Sequence, residues 1–247
     1  MIKLERISPP PQLTPEKEEE LTLQYLADTN ARVWNKSYIR ARLLSLSHSK
    51  CAYCETYVDE ESKYMEVEHV RHKAIYNHLV ASWGNLLPAC KRCNVNKGTH
   101  DVEVDGMLMD PTINIPSQHM FMQNYRLYHR DELGEETIAA FYLNESDKLV
   151  KPRFEIGTQI LATLSDLKLR FEENKNGTEA TIKRRVLRGL SAVLAEARPE
   201  KQYCATTATI IASSPDFQFL MTELKAAALW DNELEAQYQV VRQYSLL

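Results

Sequence analysis

Glycine is scarce in this chain, with 7 in 247 residues. So few turn residues argue against a sandwich or barrel of many short strands and favour helices. No apolar run approaches the roughly 20 residues that cross a bilayer, and no apolar signal region follows Met1-Ile-Lys-Leu-Glu-Arg6. The expectation is a cytoplasmic protein without membrane contact. A basic excess is missing too: the net charge is −4. Phosphate neutralisation drives non-specific nucleic-acid binding, so a freestanding binder would usually be basic. Any nucleic-acid contact is therefore local, or a partner supplies part of it. Cysteine is sparse, but four of the five stand in two Cys-x-x-Cys pairs. In a reducing compartment that pattern points to a metal rather than to disulfides. Internal repeats and low-complexity tracts are absent.

What is there suffices for a large core, with 44% apolar residues. Residues 1–13, with Ser8-Pro-Pro-Pro11, read as an extended arm. Thr14-Pro15 reads as N-cap and first helical residue of a helix to about Ala27. A second helix is expected from about Asn35 to Leu46, burying Ile39, Leu43 and Leu46. Tyr64–Val70 and Asn85–Cys90 read as strands, with Pro88 at an edge or strand end, and Lys91–Lys97 as a helix. Further on, short strands are expected at Met107–Pro111 and Asn124–Arg130, a break at Leu133-Gly134, and a helix over Glu135–Leu143. Helices follow at roughly 154–173, 178–197, 216–229 and 231–245, punctuated by Asn174–Gly177, Arg198-Pro199 and Ser213–Pro215. The fold class is α+β, mostly helical. Three regions are expected: an arm with helices (1–50), a metal-bracketed module (51–110) and a mostly helical remainder (111–247). Leu220, Leu224, Leu229 and Trp230 would form a bundle against the first two helices or dock a partner. Trp83 and Trp230 read as core or interface anchors. Lys183, Arg184, Arg185 and Arg188 read as a solvated face in preference to a phosphate-binding patch.

Cys51, Cys54, Cys90 and Cys93 offer four thiolates in two turns, a spacing that suits structural Zn²⁺. The alternative is buried free cysteines. The 35 residues between the pairs make an inserted module. From Val67 to His100 there are five Lys or Arg against one acid, Glu68, and four of the seven histidines, His69, His72, His78 and His100. The preceding linker is acidic, with Glu55, Asp59, Glu60, Glu61 and Glu66. Cys204, in an apolar Thr-rich stretch, reads as a small core residue.

Within the bracket, Glu68-His69 sets an oxygen ligand beside an imidazole, with Asn85 at the start of the second strand and Asn94 on the following helix. Phosphodiester hydrolysis needs a base to take a proton from water and a cation near the phosphate. Histidine suits the first task. Mg²⁺, held by few protein oxygens such as those of Glu68 and Asn94, suits the second. Taken singly, each of these residues is as well read as a surface, turn or helix-end residue.

Cys51-Ala-Tyr-Cys-Glu55, Val67-Glu-His69, Trp83-Gly-Asn-Leu-Leu-Pro88 and Cys90-Lys-Arg-Cys-Asn-Val-Asn-Lys97 together resemble the zinc-bracketed HNH endonucleases. The resemblance implies a ββα-metal core with His69 as general base, Asn85 orienting the loop that bears it, and Asn94 as ligand of Mg²⁺ or Mn²⁺. Glu68 stands where these proteins often carry Asp. Met1-Ile-Lys-Leu4, Ile39–Leu44, Met109-Asp-Pro111 and Thr137–Asn144 extend the likeness over about residues 1–155. There the chain resembles the PtuB family, the HNH nucleases of Septu anti-phage systems, also found in retron-associated operons. That implies an ABC/SMC-like ATPase partner, PtuA, and in retron-associated operons a retron component. DNA is the favoured substrate. The alternatives are an RNase cutting tRNA on infection and a non-catalytic, zinc-stabilised adaptor for the ATPase. Relatives often have Pro where His72 stands, so His72 is either a second titrating group near the metal or a loop substitution.

Overall fold

Thr14 begins the first helix as expected: its hydroxyl accepts from the Lys17 amide at 3.3 Å, and Pro15 opens α1 (Pro15–Ala27). The structure, a computed structural model, describes residues 1–60, 63–174 and 179–247, without the side chains of Lys63, Glu179, Lys183 and Arg184. Glu61 of the acidic linker, most of the Asn174–Gly177 break and the side chains of Lys183 and Arg184 lie outside this description. Two compact units emerge: residues 1–120 with 129–143, and residues 121–128 with 144–247.

In the first unit, α1 is followed by α2 (Ser37–Ser47), whose buried side chains include the expected Ile39, Leu43 and Leu46. The chain then passes the first Cys pair into β1 (Asp59–Glu60), β2 (Lys63–His69) and β3 (Leu86–Cys90), an antiparallel sheet in the order β1-β2-β3. In this register Val67 lies opposite Pro88 and His69 opposite Leu86. Pro88 lacks an N–H, which an outer strand tolerates, and its carbonyl accepts from Ala52. Cys90 leads directly into α3 (Lys91–Lys97), which ends at Gly98 with φ +55°, a conformation that glycine adopts without a Cβ penalty. The N-terminal arm is pinned down. The Arg6 guanidinium donates to the carbonyls of Trp83 and Leu86, and the Trp83 indole donates to Ile7. Trp83 is thus an anchor, as expected.

Three expectations are corrected here. Met107–Pro111 is not a strand, because its amides go elsewhere: Met109 N–H to the Thr137 hydroxyl and Asp110 N–H to Asn114 Oδ1. Leu133-Gly134 is not a break between strand and helix but lies inside the helix. After α4 (Pro116–His119), the chain makes a hairpin of β4 (Met120–Gln123) and β5 (Arg126–His129), and α5 (Glu132–Ala140) follows with Gly134 in its first turn. Asp131 caps α5 by accepting from the Gly134 amide at 3.0 Å. A Cβ at Gly134 would lie 2.0 Å from the His119 carbonyl oxygen, so the glycine answers a close approach. The single strand expected at Asn124–Arg130 is instead the second arm of the hairpin. Asn124 and Tyr125, both at positive φ, form its turn.

The second unit takes residues 121–128, most of the hairpin, and is otherwise helical: α6 (Lys151–Asn174), α7 (Glu179–Ile182), α8 (Arg188–Ala195), α9 (Cys204–Ser213), α10 (Pro215–Ala226) and α11 (Asn232–Tyr244). The helix expected over 178–197 carries a π-helical turn at Lys183–Leu187 between α7 and α8. The sequence reading missed α9, because nearly every face of it is buried and no polar stripe betrays its period. Cys204 is a core residue, its thiol donating to the Ala197 carbonyl. Leu220, Leu224 and Leu229 fill this unit's own core with Leu164 and Leu190, and Trp230 packs against it. They are therefore not an open docking face. No described helix is long and apolar enough to cross a membrane.

Candidate active site

Two clusters occupy the first unit. The first is the cysteine clamp. One sulfur each from Cys51, Cys54, Cys90 and Cys93 lies within 4.8 Å of all the others, with Cys54 and Cys90 3.6 Å apart. Four bonds of about 2.3 Å to a tetrahedral ion would place sulfurs just under 4 Å apart, so the set fits a zinc-sized cation. The surroundings fit as well. Arg92 donates to the Cys93 sulfur at 3.2 Å, the Cys93 amide faces Cys90, and the Thr56 hydroxyl lies 3.1 Å from Cys54. Such donors stabilise thiolates. Hydrogen bonds within the cluster, from Cys51 first, pull Cys54 and Cys90 below the usual thiol range. Burial pushes Cys51 up, and bonding to its neighbours pushes Cys93 up. Four sulfurs this close cannot all ionise without a cation between them.

The clamp joins β3 to α3 through Cys90 and Cys93, and so fixes the second cluster. Glu68 and His69 end β2, 3% and 4% exposed. The His69 Nε2 lies 3.0 Å from the Val80 carbonyl oxygen. That oxygen can only accept, so Nε2 carries the proton and Nδ1 is left as the basic nitrogen. Burial pushes the His69 pKa down to about 3, so the ring is neutral at ordinary pH. Asn85 holds the loop that runs on from His69. Its Oδ1 accepts from Arg71 N–H at 2.7 Å, its Nδ2 donates to the carbonyls of Arg71 and Leu79, and its own carbonyl accepts from Val70. Asn85 is 5% exposed and spends both side-chain ends on backbone.

Glu68 and Asn94 share one cavity of about 1060 Å³ with Glu66, His69, His72, Lys73, Trp34, Arg32 and Arg40. Asn94 Nδ2 donates to Glu66 Oε2 at 2.6 Å, which leaves Oδ1 as the atom it can offer a cation. Two carboxylates and an amide oxygen are hard donors of the kind Mg²⁺ or Mn²⁺ takes. His72 accepts from the Ala74 amide through Nδ1, and burial pushes its pKa down to about 4. The expected Glu68, His69, His72 and Asn94 thus line one cavity, and Asn85 stands behind it.

Sequence reasoning missed three residues here. Glu66 was seen only as part of an acidic linker, although its spacing of two from Glu68 puts both on one face of β2. Lys97 is buried, its ammonium 2.5 Å from Glu68 Oε1 and 2.5 Å from the His69 carbonyl. Burial raises the Glu68 pKa, and Lys97 opposes the rise. Trp34 packs edge-on against the His69 ring, centroids 5.0 Å apart. No signal in the sequence marks Trp34, which lies 35 residues upstream.

The family model for HNH endonucleases matches residues 51–100, the stretch from the first cysteine to just past α3. The Septu protein PtuB of Bacillus thuringiensis is 42% identical over 236 residues, covering 94% of this chain and 90% of its own length. A second Septu protein PtuB, from Bacillus mycoides strain KBAB4, is 27% identical over 179 residues, covering 56% of this chain and 60% of its own. No solved structure matches. With an HNH segment framing the Glu68-His69 cavity, and such identity along nearly its whole length, the chain belongs to the PtuB family.

Proposed function

We propose that this chain is a divalent-metal-dependent HNH endonuclease of a Septu anti-phage system, hydrolysing phosphodiester bonds with DNA as the favoured substrate. Its partner is an ABC/SMC-like ATPase, PtuA, which supplies binding surface that an acidic chain lacks. A structural Zn²⁺ fills the four cysteines, and the nuclease core is of the ββα-metal type.

The observation that carries the reading is the fixed tautomer of His69. With Nε2 committed to Val80, Nδ1 is the acceptor for the proton of an attacking water. Glu68 and Asn94, with Glu66 adjoining, would hold Mg²⁺ or Mn²⁺. When bound, that cation supplies positive charge for the phosphoryl oxygens and for the leaving 3′-oxygen. Asn85 acts at one remove, by holding the Arg71 and Leu79 carbonyls and hence the loop after His69. Water adds to phosphorus, its proton passes to His69, and the P–O3′ bond breaks; the leaving 3′-oxygen takes a proton from solvent water, and His69 gives its own back to solvent. The products carry 5′-phosphate and 3′-hydroxyl ends.

The test is cleavage of duplex DNA and of total tRNA in Mg²⁺, each with wild type and His69→Ala, alone and with co-expressed ATPase. DNA cleavage that falls by about 10² or more in the variant, with its fold intact, is the expected result. Loss confined to tRNA would make the protein an RNase. A His69→Ala protein that cuts like wild type would overturn the mechanism.

A further inference from the structure

The matched HNH segment begins at Cys51, yet one wall of its cavity comes from upstream. Thr29, Asn30, Arg32, Trp34 and Asn35, on the connection between α1 and α2, line the cavity opposite the end of β2. Trp34 is the pivot of that wall. It meets the His69 ring at 5.0 Å and 87°, and Tyr25 backs it edge-on at 5.8 Å. The Lys73 ammonium lies 5.1 Å from the Trp34 ring centroid.

Lys73 is the charged half of this arrangement. It is half-buried, and among the described residues no carboxylate lies within ion-pair reach of it. Burial lowers its pKa, as does Lys97, while Glu68 acts the other way. A cation is thus withdrawn from water, held by an aromatic face and turned to a cavity that contains a general base. The ring quadrupole offsets only part of the lost hydration, and an anion entering the cavity would supply the rest. Arg32, exposed on the same wall, has no ion-pair partner among the described residues either.

We propose that Trp34 and Lys73 complete the nuclease site from outside the HNH segment's catalytic residues: Lys73 binds a phosphate of the substrate strand, and Trp34 positions both the Lys73 ammonium and the His69 ring. The proposal rests on the nuclease reading. It assigns Trp34 a positioning role and Lys73 a binding role, so the two variants should fail differently. Lys73→Met keeps the alkyl stem on the indole and removes the charge. Trp34→Ala removes the face that holds Lys73 and lets the His69 ring move, whereas Trp34→Phe keeps an aromatic face.

The experiment uses the full chain and a 5′-labelled duplex of about 30 base pairs, long enough to span several phosphate contacts. Metal-free binding is measured by anisotropy across a salt series, and cleavage in Mg²⁺ as kcat and KM. Melting temperature serves as the folding control. For Lys73→Met we expect a Kd and KM raised about tenfold, and a slope of log Kd against log salt about 0.9 smaller, as befits one phosphate no longer neutralised. For Trp34→Ala we expect kcat to fall about tenfold or more as well, because displacement of a catalytic group costs on that scale, and Trp34→Phe should restore most of it. A Lys73→Met protein with wild-type affinity and salt slope overturns the binding role. Wild-type kcat in Trp34→Ala overturns the positioning role. Should wild type neither bind nor cut the duplex while its fold is intact, the nuclease reading fails on this substrate and the proposal falls with it. A folded His69→Ala protein should lose cleavage and still show the salt slope that Lys73→Met reduces, which separates failure of the chemistry from failure of phosphate binding.

Discussion

Lys97 has two partners, the Glu68 carboxylate and the His69 carbonyl. It is 4% exposed, in a place where an isolated charge would be expensive. Replacing it with methionine keeps most of the packing and leaves Glu68 buried without a counter-charge. Removing one member of a buried pair costs about 3–5 kcal/mol, so urea unfolding of Lys97→Met should show a loss of that order. A loss below about 1 kcal/mol would mean that Glu68 is already neutral. His69 is the opposite case, a buried imidazole kept neutral with one nitrogen committed and the other basic. The role of base came to it from the resemblance alone, and its tautomer was out of reach, because Val80 is eleven residues away and only the fold places its carbonyl. Asn85 was legible as the residue orienting the loop. Which atoms it holds could be known only from the folded chain.

At the scale of elements, the hairpin β2–β3 and α3 were legible almost to the residue. Strand periodicity, Pro88 and the Cys90–Gly98 stretch all pointed the same way. Where reading failed, a long-range contact decided. Gly134 sits in α5 because the chain at His119 passes against it. Gly134→Ala should therefore destabilise the protein by about 1–3 kcal/mol, although alanine is the better helix former, since backbone must move to admit the methyl group. Equal or greater stability by thermal unfolding would show that the His119 carbonyl yields freely. Met107–Pro111 is an apolar run closed by a proline, but among the described residues it pairs with no strand, and Thr137 and Asn114 take its amides instead.

For the whole molecule, the four cysteines belong to one compact unit, and the core around Leu164, Leu190, Leu220 and Leu224 to the other. If zinc holds the clamp, its binding energy is folding energy for the first unit alone. Chelation, or Cys90→Ser, should lower the first unit's unfolding transition and expose Trp83 to solvent. Helicity of the second unit, which owns most of the long helices, should persist. Tryptophan fluorescence and far-ultraviolet circular dichroism, followed together during chelator titration, would check this. Coincident loss of both signals would sink the assignment of stability to separate units, and an unchanged transition would count against the clamp.

By itself the sequence determined the chemistry that local spacing encodes. Two Cys-x-x-Cys turns, an adjacent Glu68 and His69, a capped first helix and a predominance of helix each need only neighbours along the chain. Tertiary structure alone decided what depends on distant segments meeting. The wall that Trp34 builds, the burial of Lys97 beside Glu68, the tautomer of His69 and the all-buried α9 are of that kind. Their energies come from desolvation and packing, which no single stretch of chain can display until the rest has folded around it.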